Sequence, residues 1–176
     1  MSNLANGLAA GKGASISERS DIAVTHVAAR RGARAALDDA ARTAFGTALP
    51  SAPRVIEAGT ATIVWAGPDQ WLFIEKAQAG SDPSVKLAAT FQGLASVVDV
   101  SDSRTLFRLA ASGPSEALIR GMGIDFEHNS FKPGDVAITH VSHLGVMVWR
   151  LPDGSGYEFA CARTYARDFR DWLGKV

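Results

Sequence analysis

Hydrophobic residues in the first half of the chain change between strand-like and helix-like spacing. They occupy alternate positions over residues 22–28, which predicts a strand, and they repeat at helical spacing over residues 33–45. Gly46 is well suited to end this helix, since glycine readily adopts the left-handed backbone conformation that often follows helices. Strand-like stretches at residues 60–66 and 71–74 flank the sequence Gly-Pro-Asp-Gln, which is typical of a turn, so these residues predict a hairpin.

The next stretch adds a helix and a strand. Ser81-Asp82-Pro83 is typical of a helix start, and apolar residues follow it at helical spacing over residues 84–94. Val97, Val98 and Val100 form an apolar β-branched run, which predicts a buried strand. The order up to this point is β-α-β-β-α-β, which is typical of a ferredoxin-like sandwich with two helices on one face of an antiparallel sheet.

The second half predicts a similar mixture of elements with less regular spacing. They are a strand at 105–111, a helix at 114–120, strands at 136–141, 144–151 and 157–162, and an amphipathic helix at 164–173. We therefore predict an α+β fold of two fused ferredoxin-like α/β sandwich units, which form one domain over residues 21–176 with lobes at about 21–100 and 101–176. Residues 1–20 are rich in Ser, Gly, Asn and Ala, which predicts a flexible N-terminal arm.

The composition indicates a globular protein without a strong electrostatic preference. Of the 176 residues, 47% are hydrophobic and 20% are charged, which excludes a chain that is disordered throughout. Eighteen basic residues balance eighteen acidic ones, so nothing favours nucleic acid or an anionic membrane as a partner. No segment approaches the roughly 20 apolar residues that span a bilayer. Cys161 is the only cysteine, so an intrachain disulfide is impossible and a cytoplasmic location is expected.

Several catalytic and ligand-binding patterns are incomplete in this sequence. Residues 7–13, Gly-Leu-Ala-Ala-Gly-Lys-Gly, resemble a phosphate loop, but they lack one residue between the first glycines and have glycine where Ser or Thr should follow the lysine. His140 and His143 lie three residues apart. Along a strand they would face opposite sides, which disfavours a shared metal ion, whereas a turn at Ser142 would leave metal binding open. A Gly-x-Ser-x-Gly sequence is missing, and Cys161 is expected to be a small buried residue. We therefore predict no catalytic residue, no cofactor-binding residue and no metal ligand in this chain.

A polar cluster at residues 99–104 separates two apolar strands. It contains Asp99, Asp102 and Arg104 together with two serines, and Asp and Ser side chains readily bond to backbone groups one or two residues away. Arg104 beside the aspartates is suited to a structural ion pair, to a ligand anchor or to a contact with another chain, and we rank the structural role first. Trp71, at the exit of a turn, is either a core residue or an interface anchor.

A series of motifs, taken in order, resembles the gamma subunit family of heterotetrameric sarcosine oxidase. They are Trp65-Ala66-Gly67-Pro68-Asp69-Gln70-Trp71-Leu72, Val98-Asp99-Val100-Ser101-Asp102-Ser103-Arg104-Thr105, Gly113-Pro114, Ala137-Ile138-Thr139-His140, Arg163-Thr164-Tyr165-Ala166 and Trp172-Leu173. Arg163, within one of these motifs, is a further candidate for a partner contact or a structural role. The chain also resembles, more distantly, the folate-binding domain of the glycine-cleavage aminomethyltransferase, in which an Asp-Val-Ser strand end likewise precedes a Gly-Pro helix start.

The resemblance implies a non-catalytic subunit that acts in assembly and stability. The family's complex oxidatively demethylates sarcosine to glycine, oxygen gives hydrogen peroxide, and the one-carbon unit passes to tetrahydrofolate. The resemblance also implies that the alpha, beta and delta subunits are the partners and that FAD, FMN, NAD, tetrahydrofolate and zinc are held by those subunits. An alternative is a free-standing folate-binding or one-carbon-transfer protein that uses Asp99 and Arg104 in a pocket. A third hypothesis is a small adaptor that is related by fold alone.

Overall fold

The computed structural model describes residues 8–10, 14–111, 113, 116–126 and 130–175. The chain divides into a first unit, residues 21–102, and a second unit, which combines residues 103–176 with the segment before residue 21. The strands are β1 (Leu8–Ala10), β2 (Ala14–Arg19), β3 (Ile22–Ala29), β4 (Val55–Ala58), β5 (Ala61–Gly67), β6 (Gln70–Lys76), β7 (Ala95–Asp99), β8 (Arg104–Ala110), β9 (Val136–Val141), β10 (Leu144–Arg150) and β11 (Gly156–Ala162). The helices are α1 (Arg34–Phe45), α2 (Pro83–Thr90), α3 (Glu116–Gly121) and α4 (Ala166–Leu173), and a 3₁₀ turn at Arg163–Tyr165 precedes α4.

The first unit is a five-stranded antiparallel sheet with two helices. Its strands lie in the order β4-β5-β6-β3-β7. Without the additional edge strand β4, the order of strands and helices is that of a ferredoxin-like unit, as the sequence predicted. The core packs large side chains of both helices against one face of the sheet, and its members include Val27, Leu37, Ala41, Ile63, Trp71, Phe73, Leu87 and Phe91.

In each helix of the first unit, one end lies where the sequence predicted it: the C-terminal end of α1 and the N-terminal end of α2. Gly46 follows α1 with φ 73°, and its N–H donates to the carbonyl of Arg42 at 2.9 Å. Asp82 precedes α2, and its carboxylate accepts the backbone N–H of Ser84 at 2.9 Å. Every helix in the described part of the chain is too short or too polar to cross a membrane.

The cap at Asp82 should make the stability of α2 depend on pH. Hydrogen bonds from the hydroxyl and the backbone N–H of Ser84 lower the pKa of Asp82 below its ordinary value. Because this pKa is lower in the folded than in the unfolded state, the carboxylate stabilises the fold above the ordinary carboxyl range, and this contribution is lost as pH falls through the folded pKa. We expect Asp82→Asn, which retains a capping side chain but does not titrate, to weaken the acid dependence of urea unfolding. An ordinary pKa for Asp82 in an NMR titration would contradict this expectation.

The second unit is a six-stranded antiparallel sheet in the order β1-β2-β8-β11-β10-β9. Residues of α3 and α4 pack against one face with strand residues, and this core includes Ile16, Phe107, Leu109, Leu118, Phe126, Val148, Tyr157, Phe159, Phe169 and Leu173. A tight turn joins β10 directly to β11, and Asp153 stabilises it by accepting the N–H of Ser155 at 2.9 Å. Because this connection is short, β11 lies directly beside β10. Strand β8 pairs with the other side of β11, so the strand order of the second unit differs from that of the first.

The flexible arm predicted over residues 1–20 contains a strand, and residues 1–7 and 11–13 of it lie outside the described residues. Residues 14–19 form β2, which pairs along β8 with Ile16 opposite Leu109. Ile16 is only 1% exposed, and it alternates with the exposed residues Ser15 and Ser17. This stretch is a short strand with one buried face, and its small polar residues concealed that pattern.

Three smaller differences concern the first unit. Strand β4 was not predicted, and α2 ends at Thr90, four residues before the predicted end. The predicted burial of the Val97–Val100 run is wrong, because Val98 is 50% exposed. Strand β7 lies at the edge of its sheet, where β-branched residues pack on one side only.

Candidate functional site

The polar corner after β7 closes onto its own backbone. Asp99 Oδ1 accepts the N–H of Ser101 at 2.9 Å and the Ser101 hydroxyl at 2.6 Å. The Ser101 oxygen in turn accepts the N–H of Val24 at 2.9 Å, and Val100 donates its N–H to the Val24 carbonyl at 2.8 Å. Asp99 thus orients a serine that fastens the end of β7 to β3.

Arg104 and Arg163 come together at the start of β8. The N–H of Arg163 donates to the Ser103 carbonyl at 2.9 Å, and Arg163 Nη2 donates to the Arg104 carbonyl at 3.1 Å. Arg163 is exposed, whereas Arg104 is partly buried and its charge acts on Cys161. Asp102 is exposed. These contacts tie the beginning of β8 to the segment that follows β11, and they leave the exposed part of Arg163 at the surface.

Trp71 is a core residue of the first unit. Its side chain is 0% exposed, and its indole N–H donates to the Pro50 carbonyl at 2.9 Å. The Arg34 guanidinium lies 4.6 Å from the ring centroid, while it also donates to Asp38 and Asp69. Burial on this scale leaves no ring surface for a partner, so the core interpretation of Trp71 fits the structure and the anchor interpretation does not.

We expect Trp71→Phe to lower the free energy of unfolding by about 1.5 kcal/mol, because the Pro50 carbonyl loses its donor and a small cavity forms. Denaturant unfolding measures this value. Trp65→Phe is a suitable control, since Trp65 is another tryptophan of the same sheet and is only partly buried. An equal loss in both variants would show that the indole hydrogen bond of Trp71 contributes little.

Sequence reasoning missed an ionic cluster around Glu158, which is 2% exposed. Glu158 Oε1 accepts from Arg19 Nη1 at 2.6 Å and from Arg108 Nε at 2.9 Å. The three residues lie on β2, β8 and β11, so the cluster links three adjacent strands of one sheet. A single acidic residue within the apolar strand Tyr-Glu-Phe-Ala-Cys-Ala was the available signal, because a buried glutamate is almost always paired.

The cysteine and the described histidines lie in different environments. Burial raises the pKa of the Cys161 thiol to about 11, so the thiol stays protonated at neutral pH. His140 and His143 are exposed, His26 Nε2 lies 3.1 Å from Gln70 Oε1, and His128 is outside the described residues. Within the described residues, no group of three or more His, Cys, Asp or Glu side chains is placed to hold a metal ion.

The comparison with protein families matches residues 30–176, which is most of the chain, to the sarcosine oxidase, gamma subunit family. The chain belongs to this family. The resemblance predicted from the sequence motifs is therefore confirmed, and the chain is a gamma-type subunit of an oxidoreductase. The comparison with curated protein sequences gives no match.

Solved structures show the fold of the gamma-type chain. It is similar to a chain of the heterotetrameric sarcosine oxidase from Corynebacterium sp. U-96 in complex with pyrrole 2-carboxylate, with a TM-score of 0.78 and 19% identity over 96% of this chain and 85% of that chain. It is also similar to the glycine cleavage system aminomethyltransferase T from Bartonella henselae, with a TM-score of 0.65 and 15% identity over 91% of this chain. The gamma-type chain spans 45% of that aminomethyltransferase. The predicted α+β fold, similar to that of the aminomethyltransferase, is confirmed.

Proposed function

We propose that this gamma subunit is non-catalytic and that it supports the assembly and stability of a sarcosine oxidase complex. The single observation that carries this proposal is the family match over residues 30–176. The contacts of the acidic residues and of the cysteine support the non-catalytic role. The carboxylates of Asp99 and Glu158 are bound by a serine and by two arginines, and the only thiol is buried and protonated. These groups serve the fold of the chain itself.

The proposal extends to the complex as a whole. The partners are the alpha, beta and delta subunits, and the complex is cytoplasmic. It oxidatively demethylates sarcosine to glycine, with hydrogen peroxide as a product and transfer of the one-carbon unit to tetrahydrofolate. The other subunits hold FAD, FMN, NAD, tetrahydrofolate and zinc, and this chain presents its surface to them. Support for this extension is the family membership together with the fold shared with a chain of a heterotetrameric sarcosine oxidase.

Co-expression tests the proposal directly. We expect a tagged gamma chain to recover the three other subunits in stoichiometric amounts, and we expect the complex to elute as one species in size-exclusion chromatography. The complex without gamma should lose activity faster on heating, while its initial turnover per flavin should change little. Elution of gamma always alone would refute the assembly role, and sarcosine turnover by purified gamma would refute the non-catalytic one.

A second candidate function is a free-standing folate-binding or one-carbon-transfer protein. The observation that favours it is the structural similarity to aminomethyltransferase T. Calorimetry of the isolated chain with tetrahydrofolate separates the two functions, because the second alone requires binding without partners. Heat released in a saturable titration, and lost in Arg104→Ala, would favour this second function over the assembly role.

A further inference from the structure

Strand β9 forms one edge of the six-stranded sheet in the second unit. Strand β10 pairs with it on one side. On the other side, Met122 forms a single bridge with Val141 at the end of the strand. Along residues 136–139, the described part of the chain places no strand against this outer side.

The backbone of Ile138 points away from β10. Val141 and Leu144 flank a two-residue turn, and such a pair exchanges hydrogen bonds between its strands. The bond from Arg150 N to Asp135 O at 3.0 Å belongs to the same series, in which every second residue of β9 bonds to β10. Ile138 lies between two members of this series, so its N–H and C=O are directed outwards and can pair with another strand.

The side chain of Ile138 is exposed at the end of a buried row. In the register of the sheet, Ile138 lies beside Met147, which lies beside Ala160, which lies beside Leu106. These three neighbours are 6%, 0% and 1% exposed, whereas Ile138 is 55% exposed. A second strand along β9 would extend this apolar row by one more position.

Strand β9 lacks the charges that normally keep sheet edges apart. The edge strands of the first unit carry exposed acidic residues, Glu57 in β4 and Asp99 in β7. In contrast, residues 136–149 contain no Asp, Glu, Lys or Arg and no proline. An edge that is exposed in the native state usually has such residues, because they prevent pairing with other chains. An uncharged edge therefore suits a strand that is covered in the working assembly.

We propose that residues 136–139 of β9 pair with an extended, uncharged segment of another subunit of the complex, with an apolar side chain of that segment against Ile138. The proposal rests on the assembly function proposed above. Because β9 carries no charge, an uncharged segment suits it better. A charged side chain placed against β9 would lose hydration without finding a counterion.

A second copy of this chain is a poorer occupant. The bridge at Val141 limits the open edge to four residues, and a homodimer through that edge alone would fall far below the roughly 1,200 Å² of buried surface in stable complexes.

Ile138→Lys in the co-expressed complex tests the proposal, with Val85→Lys as the matched control. Val85 is a β-branched residue that is 65% exposed on α2, so the same substitution adds the same charge away from a sheet edge. We expect Ile138→Lys to weaken recovery of the other subunits about tenfold or more, and we expect Val85→Lys to leave it unchanged. Ile138→Thr, which removes the apolar contact without adding a charge, should give a smaller loss in the same direction. Melting of each isolated variant checks that the fold is retained.

The outcomes separate this proposal from the assembly function. If the unmodified chain does not associate with the other subunits, the assembly function and this inference both fail. If the unmodified chain associates and Ile138→Lys and Ile138→Thr associate equally well, only the role of β9 is overturned. If Ile138→Lys instead separates a dimer of the isolated chain and leaves subunit recovery intact, the occupant is a second copy and the proposal is wrong.

Discussion

Gly156→Ala is expected to lower the free energy of unfolding by about 3 kcal/mol or more. Gly156 begins β11 opposite Ala110, and its φ of 158° is one that L-residues rarely adopt. A Cβ at this position would overlap the backbone oxygen of Leu109 and would lie 3.1 Å from the Cα of Ala110. Because both obstacles are backbone atoms of a paired central strand, β8 and β11 would have to separate. Thermal unfolding should show a fall in Tm of about 6–12 °C.

Gly145→Ala is the matched control for this substitution. Gly145 also lies in a strand of the same sheet, but a Cβ there would meet nothing within 4 Å. Alanine restricts the unfolded chain more than glycine does, so this variant should be as stable as the unmodified chain or slightly more stable. Equal losses in the two variants would show that loss of glycine flexibility, and not the overlap with Leu109, limits the substitution.

Glu158→Ala is expected to cost about 2.5 kcal/mol and to loosen β2. The substitution removes the carboxylate that accepts hydrogen bonds from Arg19 and Arg108. Breaking a buried ion pair is costly because the charge of the remaining partner, here that of the arginines, is left without its counterion. The arginine side chains are 25% and 43% exposed, so water can partly replace the carboxylate, and our value is below that for fully buried pairs. Denaturant unfolding gives the total cost.

Hydrogen exchange distinguishes the local effect of Glu158→Ala from general destabilisation. Arg19 is the β2 residue that binds Glu158. Loss of Glu158 should therefore accelerate exchange of the amides of residues 14–19 more than exchange of the amides of β10. Glu57→Ala, at an exposed glutamate of an edge strand, serves as the control and should change stability by less than about 0.5 kcal/mol. Uniform acceleration of exchange through the whole second unit would contradict a specific role in holding β2.

Local signals in the sequence were sufficient for most elements of the first unit. Gly46 ends α1 because a left-handed residue satisfies the last carbonyls of the helix, and Asp82 begins α2 because its carboxylate binds a free N–H. The candidate residues were predicted less completely. The Asp99 corner has the local bonds that were expected, whereas the ion pairs of Glu158 join residues 139 and 50 positions apart, and no local pattern specifies such partners.

By itself, the amino-acid sequence determined the α+β class and most of the strands and helices, because these depend on residue periodicity, turns and caps, and its motifs indicated the family. Only the tertiary structure decided that residues 14–19 join the second sheet, that Val98 and Ile138 are exposed in edge strands, and that Glu158 is held by Arg19 and Arg108. The physical reason is that strand neighbours are chosen by pairing between distant parts of the chain. A residue's exposure and its ionic partners follow from that choice.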